Sequence, residues 1–222
     1  MNKLANAKTL LKYVRGQTSC IGVAYSGGKD SLVCMDLCCK IFDRVEAFHA
    51  VRIFDMKIVE DLKRFVLKRW KVDLKIYPWF LGTKELRART LMPDLAILKK
   101  VPRLDQKEIE NRLKFETNVE WMVWGWRASD SITRAIGLSH CGGIDVKFKR
   151  VFPLRRWNRD DIYSYLRLNN IPYPFQLGGA EQAGIDLHPR SIAFLKNYYP
   201  TDYEKFLEVY PYAGARVEKT AN

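Results

Sequence analysis

Short apolar runs alternate along this sequence with longer segments whose apolar residues recur at helical spacing. The short runs predict strands at 21–25, 45–53, 72–77, 119–125 and 150–152. The longer segments predict helices at 30–41, 56–70, 129–137 and 160–169. Strands that alternate with helices are typical of a parallel sheet that is covered by helices on both faces. The pattern therefore predicts an α/β fold of three layers.

The length of 222 residues suits one domain with an appendage better than two domains. We expect the α/β domain to occupy residues 1–175. The tail from Pro172 onward is rich in Tyr, Pro and Gly. We therefore expect residues 176–222 to be a C-terminal extension that packs on the same domain.

The chain is strongly basic, with 38 Lys and Arg against 25 Asp and Glu and a formal net charge of +13. Such a charge favours a polyanionic partner, such as a nucleotide, a nucleic acid or an anionic surface. The alternative is that the excess of basic residues only keeps the protein soluble. Many of the basic residues lie between 57 and 114, where aromatic residues are also found. That region is either a nucleic-acid face, with charge and stacking combined, or a solvated helix surface.

Sequence features that mark an export signal or a membrane span are not found. No apolar run reaches the roughly 18 residues of a membrane helix, and residues 1–16 lack the apolar core of a secretory signal. The five cysteines are an odd number without Cys-x-x-Cys spacing, so neither a disulfide framework nor a zinc ribbon is expected. We therefore expect a cytoplasmic protein without membrane contact.

A glycine-containing loop, Ser-Gly-Gly-Lys-Asp-Ser at 26–31, lies between the first predicted strand and the first predicted helix. Glycines let backbone amides approach a ligand, and a helix start offers free N–H groups and a positive dipole end. Together these features favour a phosphate site, to which Ser26 and Ser31 add hydroxyl donors and Lys29 adds a positive charge. Asp30 would repel a bare phosphate, but it suits a magnesium ion that bridges phosphates.

The loop does not follow the Walker A pattern, which would need a glycine where Val23 stands and Ser or Thr where Asp30 stands. A plain strand–turn–helix connection with an aspartate at the helix start is the alternative interpretation. The complete six-residue string favours phosphate binding over that alternative.

The string at 26–31 resembles the PP-loop of the ATP pyrophosphatase superfamily. The resemblance implies a Rossmann-like, doubly wound, mostly parallel sheet of the adenine nucleotide alpha hydrolase type. It also implies ATP and magnesium as cofactors, cleavage between the α- and β-phosphates, adenylation of an acceptor and release of pyrophosphate. The residues that would cradle the phosphates are Ser26, Gly27, Gly28, Lys29 and Ser31, and Asp30 would hold the magnesium ion.

Three further segments are similar to the phosphoadenosine phosphosulfate (PAPS) reductase branch of that superfamily. Lys100 begins a Lys-Val-Pro-Arg-Leu segment that is similar to the branch's Lys-Val-x-Pro-Leu, with one residue fewer. The segment from Gly125 to Ala135 resembles its Gly-x-Arg-x-x-x-Ser-x-x-Arg-Ala pattern, and Phe152-Pro153-Leu154 with Trp157 is similar to its Pro-Leu-x-x-Trp pattern. The matches fall in the family's order and cover roughly residues 18–175.

Two arginines of the second segment are candidates for contact with the nucleotide. Arg127 is expected just beyond the fourth strand, and ligands of open parallel sheets bind outside the carboxyl ends of strands. Its forked guanidinium could stabilise charge that develops in the transition state, so Arg127 joins Lys29 and Asp30 as a candidate catalytic group. Arg134, like Lys100, is a candidate for nucleotide binding, although Arg134 could instead pair with Asp130 on one helix face.

The cysteines separate two possible reactions. PAPS reductases use a cysteine near the C-terminus as the nucleophile, whereas this sequence has no cysteine after Cys141. The paired cysteines of an iron–sulfur cluster are also absent, so no cluster is expected. Cys34 and Cys38 share a helix face and are expected to be small buried residues. The Gly-Gly-x-Asp form of the loop, in contrast, resembles the ATP-cleaving members.

Three hypotheses follow from these observations. The first is an enzyme that uses ATP and magnesium to adenylate an acceptor, either a sulfur oxyanion or a nucleic-acid base. The second is a PAPS or adenylylsulfate reductase-like transferase, and the third is a non-catalytic module that senses a nucleotide and binds nucleic acid or protein. The resemblance also allows a homodimer or a partner subunit that completes the site.

His49 lies within the second predicted strand and is expected to be structural.

Overall fold

The computed structural model describes residues 2–79, 88, 105–172 and 187–215. The first half of the fold consists of α1 (Lys3–Arg15), β1 (Cys20–Ala24), α2 (Lys29–Cys39), β2 (Arg44–Val51), α3 (Lys57–Trp70) and β3 (Leu74–Pro78). It continues with α4 (Gln106–Thr117), β4 (Met122–Val123), α5 (Ile132–His140), β5 (Ile144–Asp145), β6 (Arg150–Val151) and α6 (Arg159–Leu168). The last two helices are α7 (Pro189–Tyr198) and α8 (Pro200–Val209), and short 3₁₀ turns lie at Ala128–Asp130 and Pro211–Ala213.

Six strands form one sheet in the order β3-β2-β1-β4-β6-β5. The pairs β3–β2, β2–β1, β1–β4 and β4–β6 are parallel, and only β5 runs antiparallel at one edge among the described strands. The α/β fold with a mostly parallel, doubly wound sheet is therefore confirmed. The chain leaves β1 toward β2 on one side and later returns to β4 on its other side. Such a reversal is a topological switch point, where ligands of open α/β sheets bind.

The elements from β1 to β3 form where the apolar pattern predicts them, because their buried faces are continuous. β1 is almost fully buried, β2 is buried mainly in its second half, and α2 is buried on most sides. Asn158 caps the start of α6, because its side chain accepts a hydrogen bond from the Asp161 amide at 2.9 Å. The fourth strand is shorter than predicted, and α1, α7 and α8 are helices that the pattern did not predict.

The described part of the tail, residues 187–215, packs on the N-terminal end of α3. Ile192, Leu195 and Phe206 form an apolar cluster with Val51 and Met56. Three polar contacts accompany this cluster. Asp202 accepts hydrogen bonds from the amides of Lys57 and Ile58, the Tyr199 hydroxyl donates to Asp61, and the Lys205 ammonium donates to the Asp55 carbonyl. These contacts support our proposal that residues 176–222 belong to the same domain as residues 1–175.

Candidate functional site

A cavity of about 260 Å³ opens at the carboxyl ends of β1, β2 and β4, at the switch point of the sheet. Its polar lining includes Ser26, Gly27, Asp30, Asp130 and Arg134. Much of the remaining lining is apolar and aromatic, and it includes Phe48, Val51, Met56, Trp79, Trp124 and Phe206. A cavity that combines charged and aromatic lining suits an amphipathic ligand such as a nucleotide.

The loop at 26–31 is held in place by its own hydroxyl groups. Ser31 Oγ donates to the carbonyl of Gly28 at 2.9 Å, and Ser26 Oγ lies 3.2 Å from Ser31 Oγ. Gly27 has a φ of 80°, and a Cβ atom there would lie 3.1 Å from a methyl group of Leu62. A side chain at position 27 would therefore be strained by both its backbone conformation and its neighbour.

The start of α2 is open to an anionic ligand. Gly28 is the N-cap residue, and it has no side chain to accept from the first amides of α2, although its own amide donates to Ser26 Oγ at 3.4 Å. Amide groups at the start of a helix have no partner within the helix, and the helix dipole adds positive potential there. This geometry suits a phosphate ligand.

Asp30 lies in the first turn of α2 between two cations. Its carboxylate is 3.3 Å from Lys29 Nζ and 3.1 Å from Arg127 Nε, and its side chain is 24% exposed. Asp30 Oδ1 and Arg127 Nε are close in distance, but neither atom is aligned for a hydrogen bond. Burial raises the pKa of the Asp30 carboxyl, and the positive charges of Lys29 and Arg127 oppose that rise.

Gly125 brings the end of β4 against the start of α2. A Cβ atom at this position would lie 3.3 Å from both the carbonyl carbon and the Cβ of Asp30. Any larger residue would press on the first turn of α2, which would have to shift slightly to admit it. The close approach places Arg127, two residues later, next to Asp30.

Arg127, Asp130 and Arg134 form a chain of alternating charges beside Asp30. Arg127 Nη2 donates to Asp130 Oδ1 at 2.7 Å, and the Arg127 amide donates to Asp130 Oδ2 at 3.1 Å. Arg134 Nη1 donates to Asp130 Oδ2 at 2.8 Å and lies over the ring of Trp126, 5.4 Å from its centroid. Asp130 thus orients both arginines. Arg134 pairs with Asp130 and also lines the cavity, so the two alternatives given for Arg134 do not exclude each other.

The structure brings most of the predicted site residues together. Ser26, Gly27, Asp30, Ser31 and Arg134 line one cavity. Lys29 and Arg127 are buried behind this lining and touch it through their ion pairs with Asp30. Gly28 caps α2. Lys100 lies outside the described residues. The functional roles of all these residues remain proposals.

Several residues of the cavity were missed by sequence reasoning. The sequence indicates Asp130 only as a helix partner of Arg134, although its position between two arginines of one motif is the signal for its bridging role. Nothing in the sequence sets Trp124, Trp126 and Phe206 apart, because an aromatic residue in an apolar run is usually a core residue. The sequence predicts a structural role for His49, whereas the structure places it in the cavity lining.

Magnesium fits this site only in combination with phosphates. Within the described residues no group of three His, Cys, Asp or Glu side chains is close enough to hold a metal ion. Asp30 Oδ1 nevertheless accepts no hydrogen bond, and Mg²⁺ commonly takes one or two carboxylates, phosphate oxygens and water. One carboxylate beside a phosphate loop therefore matches the donors that the ion needs.

The fold and the site together define a nucleotide-binding α/β protein with a phosphate loop at its switch point. The model of the phosphoadenosine phosphosulfate reductase domain family matches residues 21–175 of this chain. The chain belongs to that family, within the PP-loop superfamily. No curated protein matches the sequence. Within the described residues no helix has both the length and the apolar character needed to cross a membrane.

Two solved structures share the fold. One is the PAPS reductase from Candida auris in a phosphate complex, with a TM-score of 0.54, 18% identity, and coverage of 81% of this chain and 87% of that chain. The other is the NH3-dependent NAD synthetase from Campylobacter jejuni in complex with a nitrate ion, with a TM-score of 0.50, 15% identity, and coverage of 100% and 96%. The Rossmann-like sheet of the adenine nucleotide alpha hydrolase type is therefore confirmed.

Proposed function

We propose that this protein binds ATP with Mg²⁺ at the loop 26–31 and transfers the adenylyl group to an acceptor, with release of pyrophosphate. The observation that carries the proposal is the combination of an open helix start at Gly28 with the charge pair of Asp30 and Arg127. An open helix start binds phosphate, and a carboxylate beside it suits a metal–phosphate complex rather than a free anion.

The loop residues would bind the phosphate chain. Amides at the start of α2 and the hydroxyl groups of Ser26 and Ser31 would donate hydrogen bonds to phosphate oxygens, and Lys29 would add positive charge. Asp30 would hold Mg²⁺, which when bound neutralises phosphate charge and polarises the phosphoryl group. The raised pKa of Asp30 would return toward its usual range when a divalent cation lies beside it.

The arginines would act on the reacting phosphate. In the reaction, a nucleophilic atom of the acceptor forms a bond to the α-phosphorus. The bond from that phosphorus to the oxygen bridging toward the β-phosphate breaks, and its electron pair leaves with pyrophosphate. Arg127 would stabilise the charge that develops on the α-phosphoryl oxygens, since Asp130 orients its guanidinium and both of its carboxylate partners, Asp30 and Asp130, line the cavity. Arg134 is fixed by the same carboxylate and would hold the nucleotide.

Pyrophosphate release tests the proposal. The purified protein would be incubated with ATP, Mg²⁺ and a panel of acceptors that includes sulfate, sulfite, single-stranded DNA and RNA. We expect pyrophosphate with at least one acceptor, and loss of that product in Arg127→Ala. The matched control is Arg15→Ala, which removes an arginine that pairs with Asp43 on the surface and lies outside the cavity. A folded protein that forms no pyrophosphate with any acceptor would contradict the proposal.

The second candidate function is use of a sulfonucleotide such as PAPS or adenylylsulfate, which family membership favours. Reduction through a thiol of α2 is less well supported. Burial raises the pKa of the Cys34 and Cys38 thiols well above the usual value, and that of Cys39 to about 12. Such thiols resist conversion to the reactive thiolate. Tighter binding of PAPS than of ATP, with sulfite release in the presence of a thiol donor, would favour this candidate.

A further inference from the structure

His49 is a buried histidine on β2, and a backbone contact determines which of its ring nitrogens carries the proton. Its side chain is covered, with the residue only 7% exposed, and its Nδ1 lies 3.0 Å from the carbonyl oxygen of Tyr25. A carbonyl oxygen only accepts hydrogen bonds, so Nδ1 carries the proton. In the neutral ring the other nitrogen, Nε2, is then an acceptor. Burial lowers the pKa of His49, an effect that the Tyr25 contact opposes, so the ring stays neutral near pH 7.

His49 lines the cavity, and its one hydrogen-bonding contact among the described residues is the Nδ1 contact with Tyr25. The Nε2 acceptor is therefore left for a ligand. Val51 and Met56, which also line the cavity, are apolar and cannot donate to it. An acceptor beside this apolar part of the lining would select a ligand that presents an N–H group, because two facing lone pairs would repel each other and both would stay unpaired.

The position of His49 relative to the phosphate loop matches the layout of a nucleotide. β1 and β2 are adjacent and parallel, with Ala24 paired to Phe48, so His49 lies beside Tyr25. Adjacent strands are about 4.8 Å apart, and Ser26 follows Tyr25 directly. A nucleotide with its phosphates at Gly27 and Gly28 can therefore extend its base over the end of β2. The apolar lining at Val51 and Met56 suits the faces of an aromatic base.

We propose that His49 Nε2 accepts a hydrogen bond from the 6-amino group of an adenine base and makes the cavity selective for adenine over 6-oxopurine nucleotides. The inference rests on the proposed function, since it assumes that a nucleotide binds at the loop. A 6-oxo group would place an oxygen lone pair against the Nε2 lone pair. A purine without a 6-substituent would lose the hydrogen bond without this repulsion.

Three nucleotides test the inference with the unmodified protein. ATP, inosine triphosphate and purine riboside triphosphate carry the same phosphates but an amino group, an oxo group or hydrogen at position 6. Their dissociation constants would be measured by calorimetry in the presence of Mg²⁺. We expect ATP to bind at least about 10-fold more tightly than inosine triphosphate, with the purine nucleotide between them. Equal binding of all three would overturn the inference and leave the proposed function intact, whereas no binding of any would overturn both.

The variant His49→Phe separates recognition of the base from support of the loop. Phenylalanine keeps an aromatic ring but has no acceptor, so we expect the ratio of ATP to inosine triphosphate affinity to fall to within about 2-fold. A purely structural role for His49 would weaken both nucleotides equally, and an unchanged ratio in His49→Phe would contradict the inference. The control is His140→Phe, because His140 makes a similar Nδ1 contact with a backbone carbonyl, that of Ile136, but is exposed and outside the cavity lining. The three-nucleotide series decides the question if His49→Phe does not fold.

Discussion

Asp30 and Asp202 each lie in the first turn of a helix, and their surroundings are opposite. Asp202, in α8, is 1% exposed, and its two carboxylate oxygens accept the amides of Lys57 and Ile58 at 2.8 and 2.9 Å. Asp30, in α2, is flanked by Lys29 and Arg127, yet its Oδ1 accepts no hydrogen bond. A buried carboxylate whose oxygens both accept hydrogen bonds stabilises the fold. A buried carboxylate with an oxygen that accepts none lowers stability, and that oxygen is available to a ligand.

The first prediction concerns the unsatisfied member of this pair. Asp30→Asn keeps the shape of the side chain but removes the charge that would hold Mg²⁺. We expect the affinity for ATP measured with Mg²⁺ to fall about 100-fold, as for the loss of one major contact to a reacting phosphate complex. Calorimetric titration measures the affinity, and circular dichroism checks the fold.

The control for that prediction is Asp43→Asn, at an exposed ion pair with Arg15 on the surface. This variant should bind ATP as the unmodified protein does. If Asp30→Asn and Asp43→Asn bind ATP equally well, Asp30 has no role in ATP binding. The difference in hydrogen bonding between Asp30 and Asp202 would then not mark a ligand site.

The second prediction concerns the satisfied member. The N-cap residue of α3, Met56, has no side-chain oxygen, so Asp202 supplies the missing acceptor from 145 positions away. Asp202→Ala leaves two amides at a buried helix start without partners. We expect the free energy of unfolding in urea to fall by about 2–3 kcal/mol.

Asp160→Ala is the matched control for Asp202, because Asp160 also lies in the first turn of a helix but is exposed. Its free energy of unfolding should change by less than about 0.5 kcal/mol. A similar loss in both variants would mean that the contact of Asp202 with α3 carries no special stability.

The third prediction uses two glycines to test the close approach of β4 to α2. Alanine at position 125 would press on the backbone of Asp30, whereas alanine at position 137 in α5 meets no atom within 4 Å. We expect Gly125→Ala to reduce ATP affinity about 10-fold, since a shift of the binding groups weakens a site that depends on their geometry. Gly137→Ala should leave affinity unchanged and raise stability by about 0.5–1 kcal/mol, because alanine is favoured within a helix.

Thermal unfolding and ATP titration of the two glycine variants provide the measurement. If Gly125→Ala binds ATP as tightly as Gly137→Ala does, the contact between Gly125 and Asp30 is not needed to shape the site.

The smallest expected effect is a pH dependence of stability. Burial raises the pKa of Asp30 in the folded state. A carboxyl group whose folded pKa is above its unfolded value favours folding when protonated, and this contribution is lost as the pH rises through the folded pKa. Asparagine at position 30 does not ionise, so the variant does not lose this contribution. The free energy of unfolding of Asp30→Asn minus that of the unmodified protein should therefore be larger at pH 7 than at pH 4. Urea unfolding at the two pH values measures the difference, and a change in the opposite direction would mean that Lys29 and Arg127 outweigh burial.

The sequence was sufficient to predict the sheet and the phosphate loop, because both depend on local patterns. Apolar runs mark β1 and β2, and the string at 26–31 is contiguous. The Asp202 contact could not be predicted in this way, since nothing near residue 202 indicates which distant helix it caps. The same holds for His49, whose role depends on a carbonyl group of the neighbouring strand. Residues 80–87 and 89–104, which include Lys100, lie outside the described part of the chain. The contact of Lys100 with the nucleotide therefore stays a prediction.

The most direct test of the central claim uses ATP labelled at two positions. ATP carrying one label on the α-phosphate and another on the γ-phosphate would be incubated with Mg²⁺ and the acceptor panel. The proposed reaction transfers the α-label to AMP or to an adenylylated acceptor and releases the γ-label as pyrophosphate. Release of the γ-label as orthophosphate without pyrophosphate would show cleavage between the β- and γ-phosphates and would contradict the proposal.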